Sequence, residues 1–186
     1  MPSGMIRLEL IGCWLAWFYP FVFRAPLYQK RASITVSGPT LIGLFFEILG
    51  ITLAFTLRLP PSSPPGVARI AVSWLLAALA IGIAWTSVTH LGRQFRIRAG
   101  LYTDHQLVRT GPYAVVRHPI YASLLLMLLC TLLASTPWQW MPLALAAFVL
   151  GTEIRVRTED RLLASRFGDQ FREYQRSVPA YIPFLR

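Results

Sequence analysis

The chain is poor in charge. Only 14% of its 186 residues are Asp, Glu, Lys or Arg, against 55% hydrophobic, and such a composition cannot clothe an ordinary water-facing surface. Acidic residues are scarcer still, eight in all. The two cysteines, Cys13 and Cys130, sit far apart within apolar runs; this excludes a disulfide framework and reads them as small packing residues. There is no HExxH or CxxC spacing and no Walker or Rossmann glycine pattern, so metal-hydrolase and nucleotide-triphosphatase chemistry lose their support. No internal repeat occurs, which argues against a transporter built from paired halves. No small-residue cleavage site follows Phe23, where Arg24-Ala25-Pro26 leads into a basic loop, and the first apolar run is therefore expected to stay as a span.

What is present is a series of apolar runs, Leu8 to Phe23, Leu41 to Leu57, Ile70 to Leu91, Ile120 to Ala134 and Trp138 to Gly151. A helical span needs roughly 20 residues. The runs predict an all-α polytopic membrane protein with about five transmembrane helices, its partner the lipid bilayer. Only Ser135, Thr136 and Pro137 separate the last two runs, which predicts a tight helical hairpin whose second helix continues past the membrane. Between the second and third runs, LPPSSPPG from Leu59 to Gly66 places four prolines in eight residues and stops any helix. The organisation expected is thus two N-terminal transmembrane helices in 1–58, a Pro-rich outward loop in 59–69, and a core in 70–186 that holds three spans and nearly all the polar clusters.

The net charge of +10 raises nucleic acid as a partner, but the placement of the charge answers to topology instead. Fifteen of the eighteen basic residues follow the first, third and fifth runs, leaving Arg7, Arg58 and Arg69 elsewhere. The positive-inside rule then puts the N-terminus outside and the C-terminus in the cytoplasm. From Glu153 to Arg176 dense charge alternates with Leu162, Leu163, Phe167, Phe171 and Tyr174 at helical spacing, which predicts an amphipathic cytoplasmic helix against anionic headgroups. Gly168 should break or cap it, and Val178-Pro179-Ala180-Tyr181-Ile182-Pro183 should end it in an extended tail.

Two polar constellations stand out. The first, LVRTGPYAVVRHPIY from Leu107 to Tyr121, packs Arg109, Tyr113, Arg117, His118 and Tyr121 against the edge of the fourth run, with His105 just upstream. A positive-inside loop explains the arginines but gives no reason for the histidines. Gly111-Pro112 should turn the chain, and Pro119 suits the first turn of a helix whose free N–H groups favour an anionic group such as a carboxylate. The second constellation, Glu153, Arg155, Arg157, Glu159, Asp160 and Arg161, reads on its own as a solvated face with Arg155 and Glu159 at i,i+4 spacing. A tight final hairpin would bring the two constellations to one membrane edge. Glu47, alone among apolar neighbours, is either functional or paired with a polar residue of another span such as His90 or Thr89.

The ordered set His105-Gln106-Leu107-Val108, Gly111-Pro112-Tyr113, Arg117-His118-Pro119-Ile120-Tyr121, Glu159-Asp160, Phe167-Gly168, Tyr174, Val178-Pro179 and Ile182-Pro183 resembles the isoprenylcysteine carboxyl methyltransferase family over roughly residues 90 to 186, and more distantly the membrane phospholipid N-methyltransferases. The resemblance implies an integral membrane enzyme using S-adenosylmethionine. By the same resemblance His105, Gln106, Leu107, Val108, Tyr113, His118, Pro119, Ile120, Tyr121 and Glu159 line the cofactor, and Arg155 is the catalytic, substrate-associated residue. Asp160 stands where the family has a second glutamate, Phe171 where tyrosine is common, and Arg98 where a cofactor-contacting glutamine occurs. The expected activity is methyl transfer to a lipophilic or membrane-presented acceptor, first a carboxylate of isoprenylcysteine type, which is ionised at neutral pH and needs no general base. The other readings are a phospholipid amine or small thiol as acceptor, an NADPH-dependent membrane reductase of similar helical architecture, and a non-enzymatic scaffold or transporter.

Overall fold

The structure, a computed structural model, describes residues 3–23, 38–60, 62–92 and 106–183. Six α-helices order these segments: α1 Ser3–Phe23, α2 Gly38–Thr56, α3 Val67–Leu91, α4 Pro119–Ser135, α5 Met141–Phe167 and α6 Asp169–Ser177, with 3-10 turns at Gly111–Ala114 and Trp138–Trp140. Helices α1 to α3 include segments of 20, 19 and 25 residues long and apolar enough to cross a membrane, whereas α4 is apolar but shorter. Leu15, Phe45 and Leu75 lie exposed on their outer faces, an arrangement that lipid, not water, makes favourable.

Small residues decide which helices pair. The buried face of α2 is Thr40, Gly43, Glu47, Gly50 and Ala54, spaced three or four apart along one side. A Cβ on Gly50 would lie 2.6 Å from the Ala144 carbonyl oxygen, and one on Gly43 would lie 2.8 Å from that of Gly151. Without those atoms the backbones of α2 and α5 close together, as small-residue seams allow in membranes. Helix α3 repeats the device with Ser73, Ala77, Ala80, Ala84 and Ser87 and packs along α4, where the Ser73 hydroxyl donates to the Cys130 carbonyl at 2.8 Å. Helix α1 adds two indoles to the same core: Trp14 donates to Thr131 Oγ1 at 3.0 Å and Trp17 to Ser123 Oγ at 3.1 Å, so neither buried N–H goes unmet. Cys13 and Cys130 are both free thiols.

The connection from α4 to α5 is short, residues 136–140 with one 3-10 turn. Below it, however, α4 and α5 touch little, because α5 follows α2 and α4 follows α3. The proline-rich loop is tied to this end of the bundle. Arg69 donates to the carbonyls of Leu133 at 3.1 Å and Thr136 at 2.8 Å, and Leu59 N–H to that of Ser135 at 2.8 Å, which satisfies last-turn carbonyls of α4 that no helix bond can reach. Helix α5 runs on beyond its apolar half to Phe167, and Gly168, with φ +52°, turns the chain into α6. Phe171 and Tyr174 of α6 are buried, as the predicted apolar stripe requires.

Candidate functional site

At the end of the bundle opposite the Trp138–Trp140 turn, long polar side chains bridge α4 and α5 where their backbones stand apart. Gly111 starts the bridge. Its φ is +59° and a Cβ there would strike the His90 ring, so only glycine makes this turn. The 3-10 turn that follows buries Tyr113, whose carbonyl accepts a bond of 2.5 Å from the Tyr174 hydroxyl on α6. Pro119 occupies the first turn of α4, as predicted, with Arg117 and His118 immediately before it. The C-terminal tail pins this pair by the backbone: Arg117 N–H donates to the Pro179 carbonyl and His118 N–H to that of Ala180, each at 2.8 Å. The Arg117 guanidinium also donates to the Val178 carbonyl. Held in this way, both side chains reach α5.

There they meet the acidic pair. His118 Nε2 lies 2.8 Å from Asp160 Oδ1 and its Nδ1 3.5 Å from Glu159 Oε2; Arg117 Nη2 donates to Asp160 Oδ2 at 3.0 Å and Gln175 Nε2 to the same oxygen at 3.1 Å. The Tyr121 hydroxyl donates to Glu159. One turn up α5, the Arg155 guanidinium sits 5.0 Å from the centroid of the Tyr121 ring, within cation–π range. Arg155 Nη1 donates to Glu47 Oε2 at 2.6 Å, and Thr152 donates to Glu47 Oε1 at 3.1 Å. The first constellation and the second therefore do meet.

Two expectations about partners change. Glu47 is paired not with His90 or Thr89 but with Arg155 and Thr152, because the glycine seam sets α2 against α5 and not against the end of α3. His90 instead lies on Gly111, with Nδ1 2.8 Å from the Thr86 carbonyl oxygen. Likewise the i,i+4 pair of this stretch is Arg157 with Glu153, at 3.0 Å and exposed, not Arg155 with Glu159. Arg155 points inward to a partner on another helix, since an unpaired guanidinium beside apolar helices is costly.

The electrostatics follow from burial and partners. Burial opposes the charge on His118, but hydrogen bonds and charge attraction from Asp160 and Glu159 outweigh it and lift its pKa to about 9, so the ring is imidazolium at neutral pH. Burial would raise Asp160, yet His118 and Arg117 hold it below the usual carboxylate range. Desolvation pushes the Tyr113 phenol well up, which keeps it a neutral donor.

Of the residues expected at a cofactor, His105 and Arg98 lie outside the described residues. Gln106 is exposed, Leu107 and Val108 are half-buried, and none of the three enters the polar network. Ile120 packs towards Val88, and Pro119 is buried. Tyr113, His118, Tyr121, Glu159 and Arg155 are gathered. The sequence reading missed the roles of Thr152, Gln175 and the tail carbonyls; the proline pattern in 178–183 was their only signal.

The gathered groups fit S-adenosylmethionine. Among the described residues the Tyr113 hydroxyl, Arg117 Nε and Arg155 Nε are buried without a partner, and buried donors left over in this way await an acceptor. Glu159 is the more exposed carboxylate of the acidic pair, 25% of its side chain against 14% for Asp160, and with the tyrosine rings it offers an electron-rich wall to a cationic sulfonium.

Comparison with known proteins places the chain. The model of the isoprenylcysteine carboxyl methyltransferase (ICMT) family matches residues 72–165, half of the sequence. The chain is 37% identical to the cobalt-zinc-cadmium resistance protein CzcN of Cupriavidus metallidurans over 64% of its own length and 63% of that protein's. It is 31% identical to protein-S-isoprenylcysteine O-methyltransferase B of Arabidopsis thaliana, over 64% and 58% respectively. It thus spans about three fifths of the length of these curated relatives. A solved structure of a eukaryotic intramembrane Ras methyltransferase ICMT superposes with a TM-score of 0.68 at 20% identity, covering 99% of this chain and 68% of that one, and so shares its fold. The chain belongs to the isoprenylcysteine carboxyl methyltransferase family.

Proposed function

We propose that the protein is an integral membrane methyltransferase that moves a methyl group from S-adenosylmethionine to the carboxylate of a lipophilic acceptor of isoprenylcysteine type. One observation carries this reading: the start of α4 and the far half of α5 meet in a single buried polar network, with Arg155 on its membrane side. In the proposed arrangement five helices span the bilayer, the N-terminus faces out and the network lies at the cytoplasmic edge. The divisions at residues 58 and 69 separate two N-terminal spans and a proline loop from the catalytic part.

Bound S-adenosylmethionine supplies an electrophilic methyl group on a sulfonium. The chain does the rest by positioning. Tyr113 offers its hydroxyl, Glu159 faces the positive charge, and residues 106–108 and 118–121 form the walls. Because sulfonium charge disappears as the methyl leaves, a pocket that excludes water favours transfer. The acceptor carboxylate is ionised at neutral pH and needs no proton removed; Arg155 holds it in line. Titration of the detergent-solubilised protein with S-adenosylhomocysteine and with NADPH tests the reading by melting temperature. Stabilisation by S-adenosylhomocysteine is expected. Stabilisation by NADPH alone would establish a reductase instead, and stabilisation by neither would leave a scaffold.

A further inference from the structure

Glu47 lies on α2, outside the segment that the family model matches, yet its carboxylate reaches Arg155 at 2.6 Å. It is only 1% exposed. A carboxylate placed among apolar helices is retained only where something depends on it or pairs with it, and the pairing here is one-sided. Glu47 takes Nη1 of the guanidinium, and Tyr121 covers one face at 5.0 Å. Nε remains buried and without a partner among the described residues. Arginine reads a carboxylate through a planar fork of two parallel N–H donors. A side chain with a flexible stem, once gripped at Nη1 and covered on one face, has its Nε edge fixed in direction.

From this geometry we infer that Glu47 is a positioning residue for acceptor recognition: it holds Arg155 by Nη1 so that the Nε edge is presented, already oriented, to the carboxylate of the acceptor. This rests on the methyltransferase reading above. Gly43 belongs to the device. A Cβ at that position would lie 2.5 Å from Arg155 Cγ, so the glycine gives the arginine stem the space in which to lie along α2. Thr152 completes it by donating to the second Glu47 oxygen at 3.1 Å, which fixes the plane of the carboxylate. Acceptor choice is thereby shared between an arginine inside the family-matched segment and an acid outside it.

Glutamine at position 47 can preserve this geometry. Its oxygen accepts from Arg155, while its amide donates to a Thr152 hydroxyl turned the other way. Methionine fills similar space but offers Arg155 nothing. The experiment compares wild type, Glu47→Gln and Glu47→Met with N-acetyl-S-farnesyl-cysteine as acceptor probe, and measures S-adenosylhomocysteine affinity in each. Glu47→Met is expected to raise the acceptor KM about ten- to hundredfold, the equivalent of one charge-assisted hydrogen bond, with S-adenosylhomocysteine affinity unchanged. Glu47→Gln should stay within about threefold of wild type, since it keeps the bond and loses only its charge assistance. An unchanged KM in Glu47→Met overturns the inference, as does joint loss of S-adenosylhomocysteine binding, which marks a merely structural role. A KM lowered in Glu47→Gln overturns it too, by showing Glu47 to compete with the acceptor. A wild type that binds S-adenosylhomocysteine but ignores the probe removes the acceptor carboxylate and this inference alone; one that binds no S-adenosylhomocysteine removes the methyltransferase reading with it.

Discussion

His118 Nε2 lies 2.8 Å from Asp160 Oδ1, and this bond joins the loop before α4 to the C-terminal half of α5. Both groups shift on forming it, in opposite directions. The folded pKa of His118, about 9 against 6.5, means that its contribution is full below 6.5 and is lost as pH rises through 9. That of Asp160, depressed below 3.8, is present above 3.8 and is lost as pH falls through its folded value. The pair therefore stabilises most between about pH 4 and 6.5, and the alkaline loss is on the order of 3 kcal/mol for a shift of this size. Melting temperature in detergent should fall from pH 6.5 to 9.5, and Asp160→Asn should flatten that fall. An equally steep slope in the variant would assign it to another group.

Glu159 receives the Tyr121 hydroxyl and faces His118 Nδ1 at 3.5 Å, yet it remains the more exposed member of the acidic pair. Glu159→Ala should abolish the thermal response to S-adenosylhomocysteine at concentrations that saturate wild type, a loss of about ten- to hundredfold or more in affinity if one charged contact is removed. Isothermal titration gives the number. Retention of wild-type affinity would exclude Glu159 from the cofactor wall.

The Tyr113 hydroxyl separates binding from stability. Because it is buried with no partner among the described residues, Tyr113→Phe removes a desolvated group that returns nothing to the fold. The variant should melt at or slightly above the wild-type temperature, a gain of up to about 1 kcal/mol. If the hydroxyl serves the cofactor, S-adenosylhomocysteine affinity should drop about tenfold, the value of a neutral hydrogen bond. A drop in melting temperature with affinity intact would mean that the hydroxyl has a structural partner after all.

The same residues show what a single chain reveals and what it conceals. Gly111-Pro112, Pro119 and Gly168 announce their turns because backbone geometry is a local property, and each turn forms where it is predicted. The loop and the acidic pair can be recognised as halves of one site from their order along the chain. Glu47 is different. Its partner depends on which helices pack together, and that depends on Gly43, Gly50 and Gly151, whose seam is invisible until two helices are laid side by side. Searching at the nearest polar residues of the next span leads to His90 and Thr89, when the answer lies two helices further on. Arg155 is misread for the same reason, since helical spacing offers Glu159 as a partner and only tertiary packing offers Glu47.

That seam is itself testable. A Cβ on Gly151 would lie 2.7 Å from Glu47 N and press on the Gly43 carbonyl, backbone atoms that cannot rotate away. Gly151→Ala should therefore force α2 from α5 and lower stability by about 1–3 kcal/mol, as overpacking does. Gly82, with nothing within 4 Å of its would-be Cβ, supplies the control: Gly82→Ala should be neutral or raise stability by up to about 1 kcal/mol through helix propensity. Equal melting temperatures for the two variants would show that α2 and α5 are not held by close backbone contact.

Arg155 carries the remaining prediction. Its guanidinium makes three kinds of contact at once, an ion pair with Glu47, a cation–π contact with Tyr121 and an uncommitted Nε edge. Lysine can supply the charge and reach Glu47, but it has no planar fork and no Nε–H to present. Arg155→Lys should therefore keep the fold and S-adenosylhomocysteine affinity, the latter because Tyr113, Glu159 and His118 are untouched. It should raise the KM for a farnesylated cysteine carboxylate by about tenfold or more, the cost of one charge-assisted hydrogen bond. Arg155→Ala goes further and leaves Glu47 as an unpaired buried carboxylate, so it should also lose about 3–5 kcal/mol of stability. The two variants together divide recognition from folding: if Arg155→Lys leaves both KM and kcat at wild-type values, the arginine serves the fold alone, and acceptor binding must be sought elsewhere between α4 and α5.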